Sequence, residues 1–110
     1  MPRGAYAHRI DENQAEIVKA LRKVGATVLN LSVLGNGCPD LLVGLIDYKG
    51  GKHNILLEIK DGDKPTSKRK LTKAEQQFFD TWKGATFIIN SVDEALHLYD
   101  QMKRLGLVLV

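Results

Sequence analysis

Apolar residues recur at helical spacing in three stretches of this chain and crowd into short β-type runs between them. Ile17, Leu21 and Val24 fall on one helical stripe. Asp11 is placed to cap that helix, Gln14 to sit third in it as part of a capping box, and Gly25 to end it. TVLNLSV (27–33) alternates and is rich in β-formers, so the pattern predicts a strand. GNGCP reads as a turn, DLLVGLID (40–47) as a second strand, YKGGK as another turn and HNILLEIK (53–60) as a third strand. The last two strands should form an antiparallel hairpin with a short glycine-containing loop. Thr72 and Glu75 make a T-x-x-E capping box that opens a helix through Trp82. TFIIN (86–90) reads as a short buried strand, and Ser91 with Glu94 opens a third helix that Gly106 closes. The apolar tail LVLV is expected to pair as a strand or to enter a subunit contact, because a free edge of this kind invites aggregation. The order α-β-β-β-α-β-α predicts an α/β fold, a mixed β-sheet flanked by helices, in a single domain over 1–110.

Composition narrows the setting. A chain of 110 residues, 44% hydrophobic and 26% charged, can build one core without disulfides or structural metal. Cys38 is the sole cysteine and has no partner for a disulfide, and no Cys or His spacing suggests zinc, so a reducing, cytoplasmic setting is expected. The longest apolar run is LLVGLI, too short to span a membrane. The net charge of +3 permits a polyanionic partner without requiring one. Five cations gather in KDGDKPTSKRK (60–70), diluted by Asp61 and Asp63. A charge run of this type is commonly a solvated loop, but this one directly follows an unusual strand.

The unusual feature is charge inside the third strand. Side chains alternate faces, so Asn54, Leu56, Glu58 and Lys60 share one face and the wholly apolar Ile55, Leu57 and Ile59 the other. Hairpin register decides whether Asp40 joins Glu58. A two-residue Lys49–Gly50 turn places Asp40 opposite Ile59, on the wrong face. A three-residue loop, Lys49 to Gly51, pairs Tyr48 with Lys52, Leu42 with Glu58 and Asp40 with Lys60, and brings all three charged residues to one face. The expectation is therefore an odd-length loop with a glycine at positive φ. Two carboxylates at a strand end can hold a hard divalent cation such as Mg²⁺ through oxygen, and a neighbouring lysine can orient water or stabilise charge on phosphate. The same residues would also make a cross-strand salt bridge, and D…E-x-K alone does not separate the two.

With Gly37 to Asp40 as G-x-P-D, an apolar strand, a turn and Glu58 to Lys60 as E-x-K, the chain resembles the PD-(D/E)xK nuclease superfamily, and within it the stand-alone VRR-NUC domains of phages and prophages. The likeness runs through DENQAEIVKALRKVGATV, GCPDLLVG, LLEIKDG, KLTKAEQQFFDTWKG and SVDEAL, which is nearly the whole chain. It implies a restriction-endonuclease-like fold and Mg²⁺- or Mn²⁺-dependent hydrolysis of DNA phosphodiesters. Asp40 and Glu58 would bind the metal, the Ile59 carbonyl would add a ligand, and Lys60 would position the attacking water. Lys64, Lys68, Arg69 and Lys70 would grip the DNA backbone, contacts that position a substrate without reading its sequence. Cleavage of branched DNA such as a Holliday junction or flap, and a homodimer presenting two sites, follow from the resemblance alone. The reading from another class is a nucleic-acid-binding module that keeps the fold with little turnover.

Two positions depart from the family pattern. Relatives tend to carry Glu on the inward stripe of the first helix, where this chain has Gln14; Glu16 falls toward solvent. Relatives tend to carry Gln four residues after the leucine that opens the next helix, where this chain has Glu75. Glu75 is thus a candidate to supply negative charge that Gln14 lacks, although both positions are equally accounted for as capping-box residues. Phe78, Phe79 and Trp82 are expected in the core, ahead of a base-stacking role, from their helical spacing. His8, His53 and His97 are scattered, and Arg3, His8 and Arg9 lie near the start of the chain, where they could touch phosphate.

Overall fold

The computed structural model describes residues 12–106. Asp11, the expected N-cap, the Arg3, His8 and Arg9 group and the LVLV tail lie outside the described residues. The elements follow the expected order: α1 (Gln14–Lys23), β1 (Thr27–Asn30), β2 (Leu41–Ile46), β3 (Lys52–Ile59), α2 (Lys73–Thr81), β4 (Thr86–Ile89) and α3 (Val92–Leu105). The sheet is mixed and runs β1-β2-β3-β4. Its first two pairings are antiparallel and β3 with β4 is parallel, as the intervening α2 requires.

One face of the sheet carries the core. Val28, Leu41, Val43, Leu45, Ile55, Leu57, Ile59 and Ile89 pack beneath Ile17 and Leu21 of α1 and Ala95, Tyr99 and Met102 of α3. Each fully buried aliphatic of this set contributes about 1.5–3 kcal/mol. The helices cover only this face. On the other, Leu29, Ile46 and Ile88 are exposed, and α2 meets the sheet at one end only.

Several boundaries differ from expectation. The strand predicted over 27–33 ends at Asn30, where Leu31 N–H turns to the Asp40 carbonyl and the Asn30 side chain accepts Ser32 N–H; Ser32–Leu34 then form a 3-10 turn. Local side-chain bonding thus overrides β-propensity. Helix α1 begins at Gln14, not at the expected third helical position, and its N-cap Asn13 makes no capping bond. The Asn13 amide instead donates to the carbonyls of Lys60 and Asn90, each at 3.1 Å, pinning the start of α1 to the ends of β3 and β4. The Thr72–Glu75 capping box is present in full. Ser91 caps α3 through Glu94 N–H, and Gly106 ends it in the left-handed region.

The hairpin loop is odd-length, as the shared-face argument requires. Asp47 N–H donates to the Gly51 carbonyl, enclosing Tyr48, Lys49 and Gly50, and Gly50 takes φ +90°. The register nevertheless differs by two residues from the expected one. Leu42 faces Leu56 and Ile46 faces Lys52, so the ladder continues to Asp40 opposite Glu58, not Lys60. Parity is unchanged, so Asp40, Glu58 and Lys60 still share a face.

Candidate active site

Four charged side chains are buried where β2 begins and β3 ends: Asp40, Glu58, Lys60 and, from α2, Glu75. Asp40 enters from the GNGCP turn. Gly37 presses against the first turn of α2 so closely that a Cβ there would lie 2.3 Å from the Ala74 carbonyl oxygen, and its φ of +79° is itself a glycine conformation. Glycine at 37 therefore lets the loop bearing Asp40 and the helix bearing Glu75 close on the same sheet end.

The bonds divide the cluster into two arms. Asp40 Oδ2 accepts Ile59 N–H at 2.8 Å, and Oδ1 receives the Ser32 hydroxyl at 3.4 Å; that hydroxyl in turn receives Gln14 Nε2 at 3.0 Å. On the other side Lys60 Nζ lies 2.8 Å from Glu75 Oε1 and 3.6 Å from Glu58 Oε2. Glu75 Oε1 also accepts Thr72 N–H at 2.8 Å, so one carboxylate both caps α2 and holds the lysine. The capping and site readings of Glu75 are thus compatible. Gln14 is buried on the inward stripe and makes no capping box; it reaches Asp40 through Ser32, whereas Glu75 reaches Lys60.

Glu58 stands between the arms. Burial, then the charge of Asp40, then the neighbouring Glu75 carboxyl push its pKa up to about 10, and Lys60 only partly opposes them. For Glu75, burial works against ionisation, but the bonds from Lys60 and Thr72 outweigh it and hold the pKa below the ordinary value. Burial and the charges of Asp40 and Glu58 raise the Cys38 thiol, which makes it a poor nucleophile.

The donor set suits a hard cation. Glu58 Oε1 is buried with no protein hydrogen-bond partner. The ladder extended from Leu41–Leu57 sets Pro39 opposite Ile59, and proline has no N–H to give the Ile59 carbonyl. Carboxylate and carbonyl oxygens with an unsatisfied lone pair are what Mg²⁺ or Mn²⁺ selects, commonly through one or two carboxylates with water and substrate completing the shell. Among the described residues no three His, Cys, Asp or Glu side chains converge as a ready metal cage, since Glu75 is engaged by Lys60.

The expected DNA-contact residues sit apart from this cluster, on the loop between β3 and α2. Lys64, Lys68 and Lys70 are exposed. Arg69 is half-buried, and its guanidinium bonds the Lys64 carbonyl and the Thr66 hydroxyl, so it shapes the loop as well as charging it. Phe78 and Phe79 are half-buried and Trp82 is 52% exposed, against the expectation that all three are core. The reason is that α2 packs on the sheet through its first turn and leaves its last turn uncovered. His53 pairs with Asp47 at the far end of the hairpin, away from the cluster. Ser32 and Asn13 escaped the sequence reading: an isolated serine or asparagine has no spacing signature, and only the fold brings them to Asp40 and Lys60.

No family model, no curated protein and no solved structure matches the chain.

Proposed function

We propose that the protein is a Mg²⁺- or Mn²⁺-dependent endodeoxyribonuclease that hydrolyses phosphodiester bonds, with branched DNA as its preferred substrate class. The observation that carries the reading is the convergence of Asp40, Glu58 and Lys60 on one sheet face, with Glu58 Oε1 buried and unpartnered. Two carboxyl groups buried on adjacent strands, one with an unpartnered oxygen, are more than a single salt bridge to Lys60 uses.

Asp40, Glu58 and the Ile59 carbonyl would hold the cation, which supplies Lewis-acid polarisation of phosphate and a lowered pKa for water. The chain's own residues do the rest. Ser32 and the Ile59 N–H fix the rotamer of Asp40. Lys60, held by Glu75, presents a positive charge at the sheet end, where it can orient the attacking water and stabilise the extra negative charge of the phosphorane-like transition state. Lys64, Lys68 and Lys70, exposed on the loop after β3, would engage the backbone, with affinity that falls steeply with salt. Cutting both strands of a junction calls for two such sites, hence a second copy of the chain, in the cytoplasm of a phage-carrying bacterium.

The test is nicking of supercoiled plasmid and of synthetic four-way junctions with Mg²⁺ or Mn²⁺. Lys60→Ala should lower the rate of the folded protein by roughly 10²- to 10³-fold. An unaffected rate would end the proposed role of Lys60. Salt-sensitive DNA binding with no cleavage by the native protein would favour the binding module.

A further inference from the structure

Helix α2 carries an aromatic pair that the proposed chemistry does not use. Phe78 and Trp82 are stacked, with ring centroids 5.1 Å apart and planes 17° from parallel. Trp82 is half-exposed, and its indole is seated on Gly84, where a Cβ would come within 2.8 Å of Nε1. The ring is thus held by Phe78 and by a bare stretch of backbone, and it stays open to solvent without a core contact to explain it. Single exposed aromatics are ordinary on protein surfaces. This one is stacked in advance, and it lies on the same helical stripe as Glu75, the residue that grips Lys60. From Glu75 to Trp82 the helix rises about 10 Å, about three nucleotide steps at the roughly 3.4 Å spacing along one strand. Exposed Lys70 and Lys73 precede the pair and Lys83 follows it, while the exposed Asp80 is tied to Gln76 at 2.9 Å.

We propose that Phe78 and Trp82 form a stacking platform for an unpaired DNA base a few nucleotides from the phosphate under attack, so that the protein favours single-stranded or branch-point DNA over intact duplex. The proposal rests on the nuclease reading and adds the structural feature of the substrate that the site selects. A base in a duplex has both faces covered by its neighbours, whereas an unpaired base can lay one face on an indole. Cations at both ends of the pair suit a polyanion. A second copy docked by the same face would bring those cations against their own equivalents.

Trp82 is the sole tryptophan, so its fluorescence reports on the platform directly. The probes are an oligothymidylate of roughly ten nucleotides, within the usual site size for single-strand binders, and a blunt duplex, each titrated into native protein in EDTA. Saturable quenching by the oligothymidylate and little by the duplex is expected. Trp82→Ala should weaken single-strand binding about 5- to 150-fold by anisotropy and leave duplex binding unchanged, and Trp82→Phe should keep most of the affinity. Equal quenching by both probes, or single-strand affinity unchanged in Trp82→Ala, overturns the platform. So does a tryptophan signal that follows protein concentration instead of DNA. If Trp82→Ala does not fold, the native quenching and the Trp82→Phe affinity decide the matter. Quenching without cleavage by the native protein fails the nuclease reading and keeps the platform; cleavage without quenching does the reverse.

Discussion

The two ends of the β2–β3 hairpin each hold a carboxyl group beside a basic side chain, and they treat it in opposite ways. At the loop end Asp47 Oδ1 accepts N–H groups from Lys49 and Gly51 at 2.8 and 2.9 Å, and Oδ2 lies 2.5 Å from His53 Nε2. Every bond there favours the ionised form, and the pKa is lowered to about 2. Around it Tyr48 N–H bonds the Lys103 carbonyl and Lys103 Nζ bonds the Ile46 carbonyl, fastening the end of α3 to the loop. At the other end Glu58 has Lys60 at 3.6 Å, but it also has Asp40 and Glu75 beside it, and its pKa moves up instead of down. Chain-end turns and site ends can use the same residue types; what differs is whether donors are supplied for each oxygen. An end with all its donors in place is structural. The other end has more acceptors than donors and one buried oxygen, Glu58 Oε1, without a protein partner.

The sharpest way to break this contrast is to remove the carboxylate that holds the lysine. Glu75→Ala strips Lys60 of its 2.8 Å partner and removes one half of the α2 capping box, the bond from Thr72 N–H, while the backbone N–H at position 75 still donates to Thr72 Oγ1. A loss of about 3–5 kcal/mol is expected in urea denaturation, since one partner of a buried pair is left behind and half of a helix cap is lost with it. Glu75→Gln retains an acceptor for Thr72 N–H and should lose less than half of that. If both variants fall by only the value of a cap, about 1 kcal/mol, the Lys60–Glu75 pair has no energetic role and the two-arm description of the site is wrong.

A second effect separates the hairpin ends by pH. Glu58 has a folded pKa raised from 4.5 to about 10. A carboxyl shifted upward binds its proton more tightly in the folded state, so its contribution is fully present below pH 4.5 and is lost as pH rises toward 10. The metal-free protein should therefore melt at progressively lower temperature between pH 6 and pH 9 (roughly the span accessible to a buffer series between those limits), and Glu58→Gln should flatten that slope. Mg²⁺ must displace the Glu58 proton to bind, so its stabilisation should grow over the same span. Thermal melts with and without Mg²⁺ in the two proteins give all four curves. A Mg²⁺ response that is the same in Glu58→Gln would remove Glu58 from the cation site.

What could be read in the sequence follows the same division. Faces and parity were legible because apolar alternation in β2 and β3 fixes which side chains meet, and an odd loop keeps Asp40 with Glu58. The register itself was not, because Tyr48–Lys52 and Asp47–Gly51 are equally good closures by pattern. Asp47 decides between them through two short bonds into the loop that the string of residues does not reveal. The inward position of Gln14 was legible from its helical stripe, but its partner Ser32 was not, since the strand expected there stops at Asn30. Trp82 was misplaced because periodicity tells which residues share a stripe and not whether anything lies opposite it. The site end of the hairpin thus shows in the sequence as charge out of place, and the loop end shows only as glycine.

The smallest effect tests the loop end alone. Asp47 is shifted downward, from 3.8 to about 2, by His53 first and by the Gly51 and Lys49 N–H groups after it. A carboxyl shifted downward stabilises the fold above its unfolded pKa, and that contribution disappears as pH falls through the folded value. Asp47→Asn keeps an oxygen for the two N–H groups and loses the charge that His53 meets. The variant should melt below the native protein at pH 5 and above, and the gap should close as pH falls from about 4 to 2. Mg²⁺ should stabilise native protein and Asp47→Asn equally at every pH, because nothing at this end lacks a donor. A gap that persists at pH 2, or a Mg²⁺ response altered by Asp47→Asn, would mean that the two ends of the hairpin are coupled and that the site cannot be treated apart from the loop that sets its register.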